Sequence, residues 1–354
     1  MQRSASMNLD ALASFEPRAF HPAWWLPGAH GQTIAGRVLR RPRPPAFRRE
    51  RLETPDGDFL DLDWVPSARQ DAPLVLLLHG LEGSARRGYA VNTYRALEAN
   101  GLRAMGLNFR SCGGEPNLTA RFYHSGDTGD LRLVLDALEE RFQQRVAGAV
   151  GFSLGGNVLL KYLAEEGPGA RLRAVVAVSV PYDLAAGADA LDATRMGRFY
   201  TSHFLTSLTA KMRAKGSLLD GRLDMNRIRL ARSFRDFDDA VTAPLHGFAG
   251  AEDYYSRSSS GPLLERVRVP SLLIHSADDP FLPVTALPRL AIDANPFLRL
   301  VLTRHGGHVG FISGSPWRPG FWAEREAARF LGLALGEAGT AQIPDPLLPH
   351  PSGH

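Results

Sequence analysis

Three residue types spread along this sequence could together break an acyl bond: a serine in a glycine-flanked turn, then an acid and a histidine far downstream. Ser153 lies in "AVGFSLGGNVLLKYL", between Gly151 and Gly155. With 35 glycines in 354 residues, a G-x-S-x-G spacing arises by chance on the order of 0.2 times in such a chain, so the spacing alone carries little. Its surroundings carry more. The apolar run "RVAGAVGF" precedes Ser153 and "LGGNVLLKYLAEEG", with helical spacing, follows it. A serine at a strand-to-helix turn is held in a strained backbone with its hydroxyl exposed, and its neighbours must be small. Gly151 and Gly155 meet that need, and Gly156 lets the helix approach the sheet. The helix N-terminus offers N–H groups to developing negative charge.

A serine hydroxyl is a poor nucleophile near neutral pH and needs a base and an orienting acid. At such turns they follow in the order Ser, Asp, His. "LLIHSADDPFLP" places Asp278 and Asp279 just past an apolar strand, and "LRLVLTRHGGHVGF" places His305 and His308 just past the next. Gly306 and Gly307 permit a tight loop, so His308 is the expected base, with His305 a packing or polar-edge residue. Asp279 is the preferred acid, and Asp278 the one expected to make turn hydrogen bonds. The oxyanion donors expected are the backbone N–H groups of Leu154, after the serine, and Leu81, in "LLHGLEGS". His79 precedes that loop and reads as a loop-shaping residue. "HGGH" lacks the spacing and carboxylates of a metal site. There is no P-loop lysine and no G-x-G-x-x-G after a first strand, so no metal, nucleotide or other cofactor is expected.

The elements that must position these residues are legible as a change of period. "FRRERLETPDGDFLDLDWV" alternates on both sides of Asp56-Gly57, a hairpin signal. From Leu74 to Val180, short apolar runs ("PLVLLLHG", "LRAMGLNFR", "RVAGAVGF", "LRAVVAVSVP") alternate with amphipathic stretches. This pattern predicts a doubly wound, mostly parallel α/β sheet. A polar, mainly helical segment over about 183–266 interrupts the alternation and reads as a helical cap insertion. Its Phe199, Tyr200, Phe204, Leu205 and Leu208 could line an acyl pocket or form the cap's own small core. Strands then resume, and a helix over about 321–335 closes an α/β domain at 46–335. Residues 1–45 are expected to be an irregular arm, with Trp24, Trp25 and Leu26 packed on the core. Residues 336–354, rich in Pro and Gly, read as a flexible tail.

Bulk properties set outer limits. A net charge of +4 on 354 residues gives no broad basic field, so nucleic acid is not an expected partner. The Arg-rich "RVLRRPRPPAFRRERL" (Arg37 to Leu52) reads as a solvated, Pro-extended arm, with contact to an anionic surface such as lipid headgroups as the sharper alternative. A single cysteine, Cys112, forms no intrachain disulfide and suits a reducing compartment. No signal-peptide core and no apolar stretch near ~20 residues is present. A soluble, cytoplasmic protein is expected.

Ordered motifs then carry a resemblance. "LLLHGLEGS", "NFRSCGGEPN", "FYHSGDTGDL", "GFSLGGN", "FDDAVTAPLHGF", "YYSRSSS", "HSADDPFLP" and "HGGHVGFI", with the N-terminal "WWLPGAHGQTI", resemble the YheT-like branch of the α/β-hydrolases over about residues 20–335. The resemblance implies a Ser-Asp-His triad at Ser153, Asp279 and His308. It implies esterase activity on small acyl esters, lipid-like in some members, with alcohol acyl transfer in related ones. In one departure, Ser111 and Gly113 stand where the family tends to have Gly and Ser. Cys112 has no elbow context and is a weak nucleophile candidate. The reading is a serine esterase. Its rivals are an acyltransferase with the same residues and a non-catalytic binding protein on a hydrolase fold.

Overall fold

Leu74–Leu78, "LVLLL", shows why the chain folds as it does. Five consecutive apolar residues can only be satisfied if both faces of the strand are covered. Leu74, Leu76 and Leu78 pack on one side with Leu131, Val134 and Leu138 of helix Thr128–Glu140 and Val158 and Leu159 of helix Leu154–Glu166. Val75 and Leu77 pack on the other side with Tyr94 and Leu97 of helix Gly88–Ala99 and Phe330 and Leu331 of helix Trp322–Leu335. Each fully buried side chain of this size contributes roughly 1.5–3 kcal/mol relative to exposure. The structure, a computed structural model, describes residues 9–336.

The strands are β1 (Arg48–Glu53), β2 (Phe59–Trp64), β3 (Leu74–Leu78), β4 (Arg103–Asn108), β5 (Val146–Phe152), β6 (Ala174–Val178), β7 (Ser271–Ser276) and β8 (Leu298–Thr303). They form one sheet in the order β1-β2-β4-β3-β5-β6-β7-β8. The pairs from β4 to β8 are parallel, and β1 and β2 add an antiparallel hairpin at one edge. The hairpin turns at Gly57, whose φ is +74°. The strand order reverses around β3, and the loops after β3, β5, β7 and β8 leave the sheet at their C-terminal ends, where open α/β sheets bind ligands. Between β6 and β7 the chain builds the cap, led by helices Leu184–Ala193 and Arg195–Lys215. The cap also contains a π-helical turn, Asp238–Thr242.

Three expectations change. The arm is not irregular throughout: residues 9–14 are helical and Gly28–Leu39 is a three-turn helix. Trp24 is not in the core but 80% exposed, because the neighbouring Ala23 and Trp25 take the anchoring role through backbone and indole bonds to Ile312 and Gly314. The Arg-rich stretch is not simply a solvated arm. Arg49 and Arg51 lie on β1 and reach the buried carboxylates of Asp61 and Asp63 on β2, while Arg40 is buried against Glu324. Charges that look solvated in one dimension are matched by acids that the sheet register, or for Arg40 the packing of helix Trp322–Leu335, brings alongside. The tail expected from 336 lies, apart from Gly336, outside the described residues.

Candidate active site

The turn between β5 and helix Leu154–Glu166 holds Ser153 at φ +50° and ψ −118°. This is a costly conformation for a residue with a side chain, on the order of 1–3 kcal/mol. The neighbouring glycines make it sterically feasible. A Cβ on Gly151 would lie 2.6 Å from the carbonyl oxygen of Gly155, and one on Gly156 would lie 2.7 Å from Val180.

Two loops converge on this serine. His308 Nε2 lies 3.0 Å from Ser153 Oγ, and His308 Nδ1 lies 2.8 Å from Asp279 Oδ2. The Asp279 side chain is wholly buried, and its other oxygen accepts the Phe281 N–H at 2.9 Å. The Phe281 ring stacks on the imidazole with centroids 4.3 Å apart, so the ring plane is fixed as well as the hydrogen bonds. Asp278 does something else. It accepts the Gly307 N–H at 2.9 Å and the Ser276 hydroxyl, and faces His305 at 3.3 Å. It ties the loop after β8 to the loop after β7, and His305 stays at the half-exposed rim.

The loop after β3 shows which backbone donor is available. The Gly80 N–H is bonded to Tyr89, the Glu82 N–H to Tyr123 and the Gly83 N–H to the Gly80 carbonyl. Among the described residues the N–H groups of Leu81 and Leu154 have no acceptor. Both residues line the same cavity as Ser153 and His308. His79 shapes this loop. Its Nδ1 lies 2.8 Å from the Gly80 carbonyl, and its Nε2 accepts the Phe109 N–H at 3.2 Å. That pattern requires the neutral ring, and burial pushes the His79 pKa down to about 4. The folded value is below the ordinary value, so the stability involved is present above about pH 6.5 and is lost as pH falls toward 4. At about 1.4 kcal/mol per pKa unit, His79 alone withdraws about 3 kcal/mol across that window. Denaturant unfolding at pH 7.5, 6 and 4.5 should therefore show stability falling steadily below about pH 6.5. A flat profile down to pH 5 would refute this.

The N-terminal helix is the part of the site that sequence reasoning missed. Thr33 Oγ1 accepts the His308 N–H at 2.9 Å. The Gln32 amide pairs with both backbone groups of Ile312, at 3.1 and 2.7 Å. Arg40 donates to the carbonyls of Val309 and Gly310, both at 2.8 Å, and pairs with Glu324 at 2.6 Å. These bonds hold a loop that contains two non-glycine residues in left-handed backbone, Val309 at φ +55° and Phe311 at φ +45°. The usable signal was "HGQTIAGR". Gly36 faces the loop so closely that a Cβ there would lie 3.3 Å from the Gly310 Cα.

The cavity over Ser153 has a volume of about 790 Å³. Phe199, Tyr200, Phe204 and Leu208 line it, whereas Leu205 packs into the core below. Cap and floor are joined by Glu82, which pairs with Lys211 at 2.8 Å and accepts hydrogen bonds from Tyr123 and Ser207. Cys112 is buried, which pushes its thiol up to about 11, so it stays protonated and unreactive near neutral pH. Ser111 adopts φ +62°, a conformation in which glycine would be unstrained. The described residues contain no group of three or more metal-ligating side chains.

The family model for the alpha/beta hydrolase fold matches residues 73–315. The chain is an α/β-hydrolase of the YheT-like family. The hydrolase is 39% identical to YheT of Escherichia coli over 320 residues, covering 89% of this chain and 94% of that protein. It is 30% identical to human "Phospholipase ABHD3" over 88% of this chain and 78% of that one. It is 31% identical to a "Monoacylglycerol lipase" of Saccharomyces cerevisiae, over 84% and 68% of the two chains. The Pyrococcus furiosus esterase Pf2001 superposes with a TM-score of 0.54 at 17% identity, covering 91% of this chain and 98% of that one, and shares the fold. No helix among the described residues of the hydrolase is long and apolar enough to cross a membrane.

Proposed function

We propose that this hydrolase cleaves carboxylic esters through an acyl-enzyme on Ser153. The observation that carries the reading is the hydrogen-bonded line Ser153–His308–Asp279, set beside two unmatched backbone N–H groups at the floor of a largely apolar cavity. With Asp279 accepting from His308 Nδ1–H, His308 Nε2 is left as a lone-pair acceptor facing the serine hydroxyl. Ser153 Oγ attacks the ester carbonyl as His308 takes its proton. The carbonyl oxygen becomes an oxyanion between the Leu81 and Leu154 N–H groups, each such donor worth about 3–4 kcal/mol in the transition state. The carbonyl re-forms, the alkoxide leaves, and His308 delivers the proton to it. Water repeats the sequence on the acyl-enzyme with His308 again as base. Asp279 stays ionised and stabilises the imidazolium.

The esterase and lipase descriptions of the relatives support the reaction class, and the aromatic and aliphatic walls support an acyl group as the part enclosed. The test is a panel of p-nitrophenyl esters of increasing acyl length, run with a fluorophosphonate probe. Turnover of some of the esters, with labelling that blocks it, is expected. Neither labelling nor turnover at any acyl length would leave the binding-protein reading in its place.

A further inference from the structure

The rim of the cavity carries positive charge that the protein itself does not neutralise. Four arginines line the cavity: Arg37, Arg40, Arg86 and Arg87. Arg40 is matched by Glu324 and Arg86 by Asp63, each at 2.6 Å. Arg37 and Arg87 have no carboxylate within ion-pair distance among the described residues. Arg37 Nη1 lies 2.7 Å from His203 Nε2, and Arg87 Nη2 donates to the Glu82 carbonyl at 3.0 Å. Both contacts orient a guanidinium without cancelling its charge. The two carboxylates that line the cavity are engaged elsewhere, Glu82 by Lys211 and Asp238 by Tyr255 and Thr242. Burial and then the charge of Arg87 both lower the pKa of Arg37, so the two cations stand close enough to act on each other.

Their position relative to the reacting atoms follows from the helix and the loop that hold them. Arg37 is one turn beyond Thr33, about 6 Å along the axis, and the Thr33 hydroxyl bonds the backbone of His308. Arg87 is tethered to the carbonyl of the residue that follows Leu81. The cations therefore flank the end of the cavity where an ester would react. Ile34, Val38 and Phe199 stand beside them at the opening, 43%, 49% and 60% exposed. An apolar chamber with a cationic rim is complementary to an amphiphile: a chain inside and an anion outside. Two guanidiniums match the near-double charge of a phosphate monoester, and their forked donors suit its oxygens.

We propose that Arg37 and Arg87 form an anion subsite, and that the substrates of this hydrolase are acyl esters whose alcohol part carries a phosphate monoester. The proposal rests on the esterase reading for the reaction and on the rim alone for the phosphate. The phosphate seats between the two guanidiniums while the acyl chain enters the cavity toward Phe204 and Leu208. Arg40 and Arg86, each held in an ion pair, take no part.

Binding tests this without turnover. Calorimetry compares 1-O-decylglycerol 3-phosphate with 1-O-decylglycerol, two ethers that cannot be hydrolysed. The phosphate ether should bind about tenfold or more tightly, and the advantage should shrink between about 0.05 and about 0.5 M NaCl. In the double variant Arg37→Gln/Arg87→Gln, shown to be folded by circular dichroism, the ratio should fall to within about twofold. Equal affinity in the wild type, no binding of either ether, or an advantage retained by the double variant would overturn the proposal. So would inorganic phosphate binding as tightly as the phosphate ether, since the site would then serve the free ion. Hydrolysis of the matching decanoyl esters is read separately. Its absence removes the esterase reading and leaves the binding ratio to decide the subsite.

Discussion

Ser153→Ala lowers ester turnover by at least about 10⁴-fold and abolishes fluorophosphonate labelling, with little change in substrate affinity. The size of the effect comes from the removal of the atom that forms the acyl bond. The oxyanion donors and the cavity survive, so residual catalysis over water is expected but the acyl-enzyme route is closed. Stability should change little. Alanine has the same Cβ at the same φ of +50°, and the only side-chain hydrogen bond lost is the one to His308 at 3.0 Å. Ester panels measured as kcat and KM separately, beside thermal unfolding, provide the check. A variant that still labels or turns over at the wild-type rate would move the nucleophile away from Ser153. Cys112 offers no substitute, because burial keeps it a neutral thiol.

Asp279→Asn costs about 10⁴-fold in kcat, whereas Asp278→Asn costs about tenfold or less. The contrast follows from the partners of each carboxylate. One oxygen of Asp279 faces the Phe281 N–H and the other faces His308 Nδ1. The Phe281 N–H can only donate, so an asparagine must turn its carbonyl oxygen toward it. Its NH₂ then faces His308 Nδ1, which has to become an acceptor. The ring proton moves to Nε2, and the base can no longer receive a proton from Ser153. Asp278 touches the Gly307 N–H and His305, so its loss loosens a loop and leaves the tautomer alone. Steady-state kinetics of the two variants separate them, and similar losses in both would mean that the acid has been misassigned.

Much of this site was legible in one dimension because it depends on short-range sterics. A run such as "LVLLL" reports burial on both faces. Glycines around a serine report a turn that no larger residue can make. The order of Ser153, Asp279 and His308 follows from the strands that each one ends. The preference for Asp279 over Asp278 also came from local chemistry, but Asp278 accepts the Gly307 N–H of the next loop and the Ser276 hydroxyl rather than the backbone of its own turn. The same locality explains the misreadings. Trp24 looked like a core residue by type, and Arg40, Arg49 and Arg51 looked solvated because their acidic partners lie 284, 14 and 10 residues away.

What the sequence determined by itself, then, was local: which segments of the α/β core are strands or helices, where the chain must turn sharply, and which side chains those turns present. These are properties of residue type and period. The tertiary structure decided which distant groups meet. Thr33 and His308 are 275 residues apart, yet one hydroxyl bonds the other's N–H. That Leu81 keeps a free N–H depends on Tyr89 and Tyr123 taking those on either side of it. That Arg37 and Arg87 both line the cavity without an acid among the described residues to pair with depends on where a helix, a loop and the cap come together. A hydrogen bond or an uncompensated charge is a relation between surfaces, and pattern within a segment carries no information about the surface it will meet.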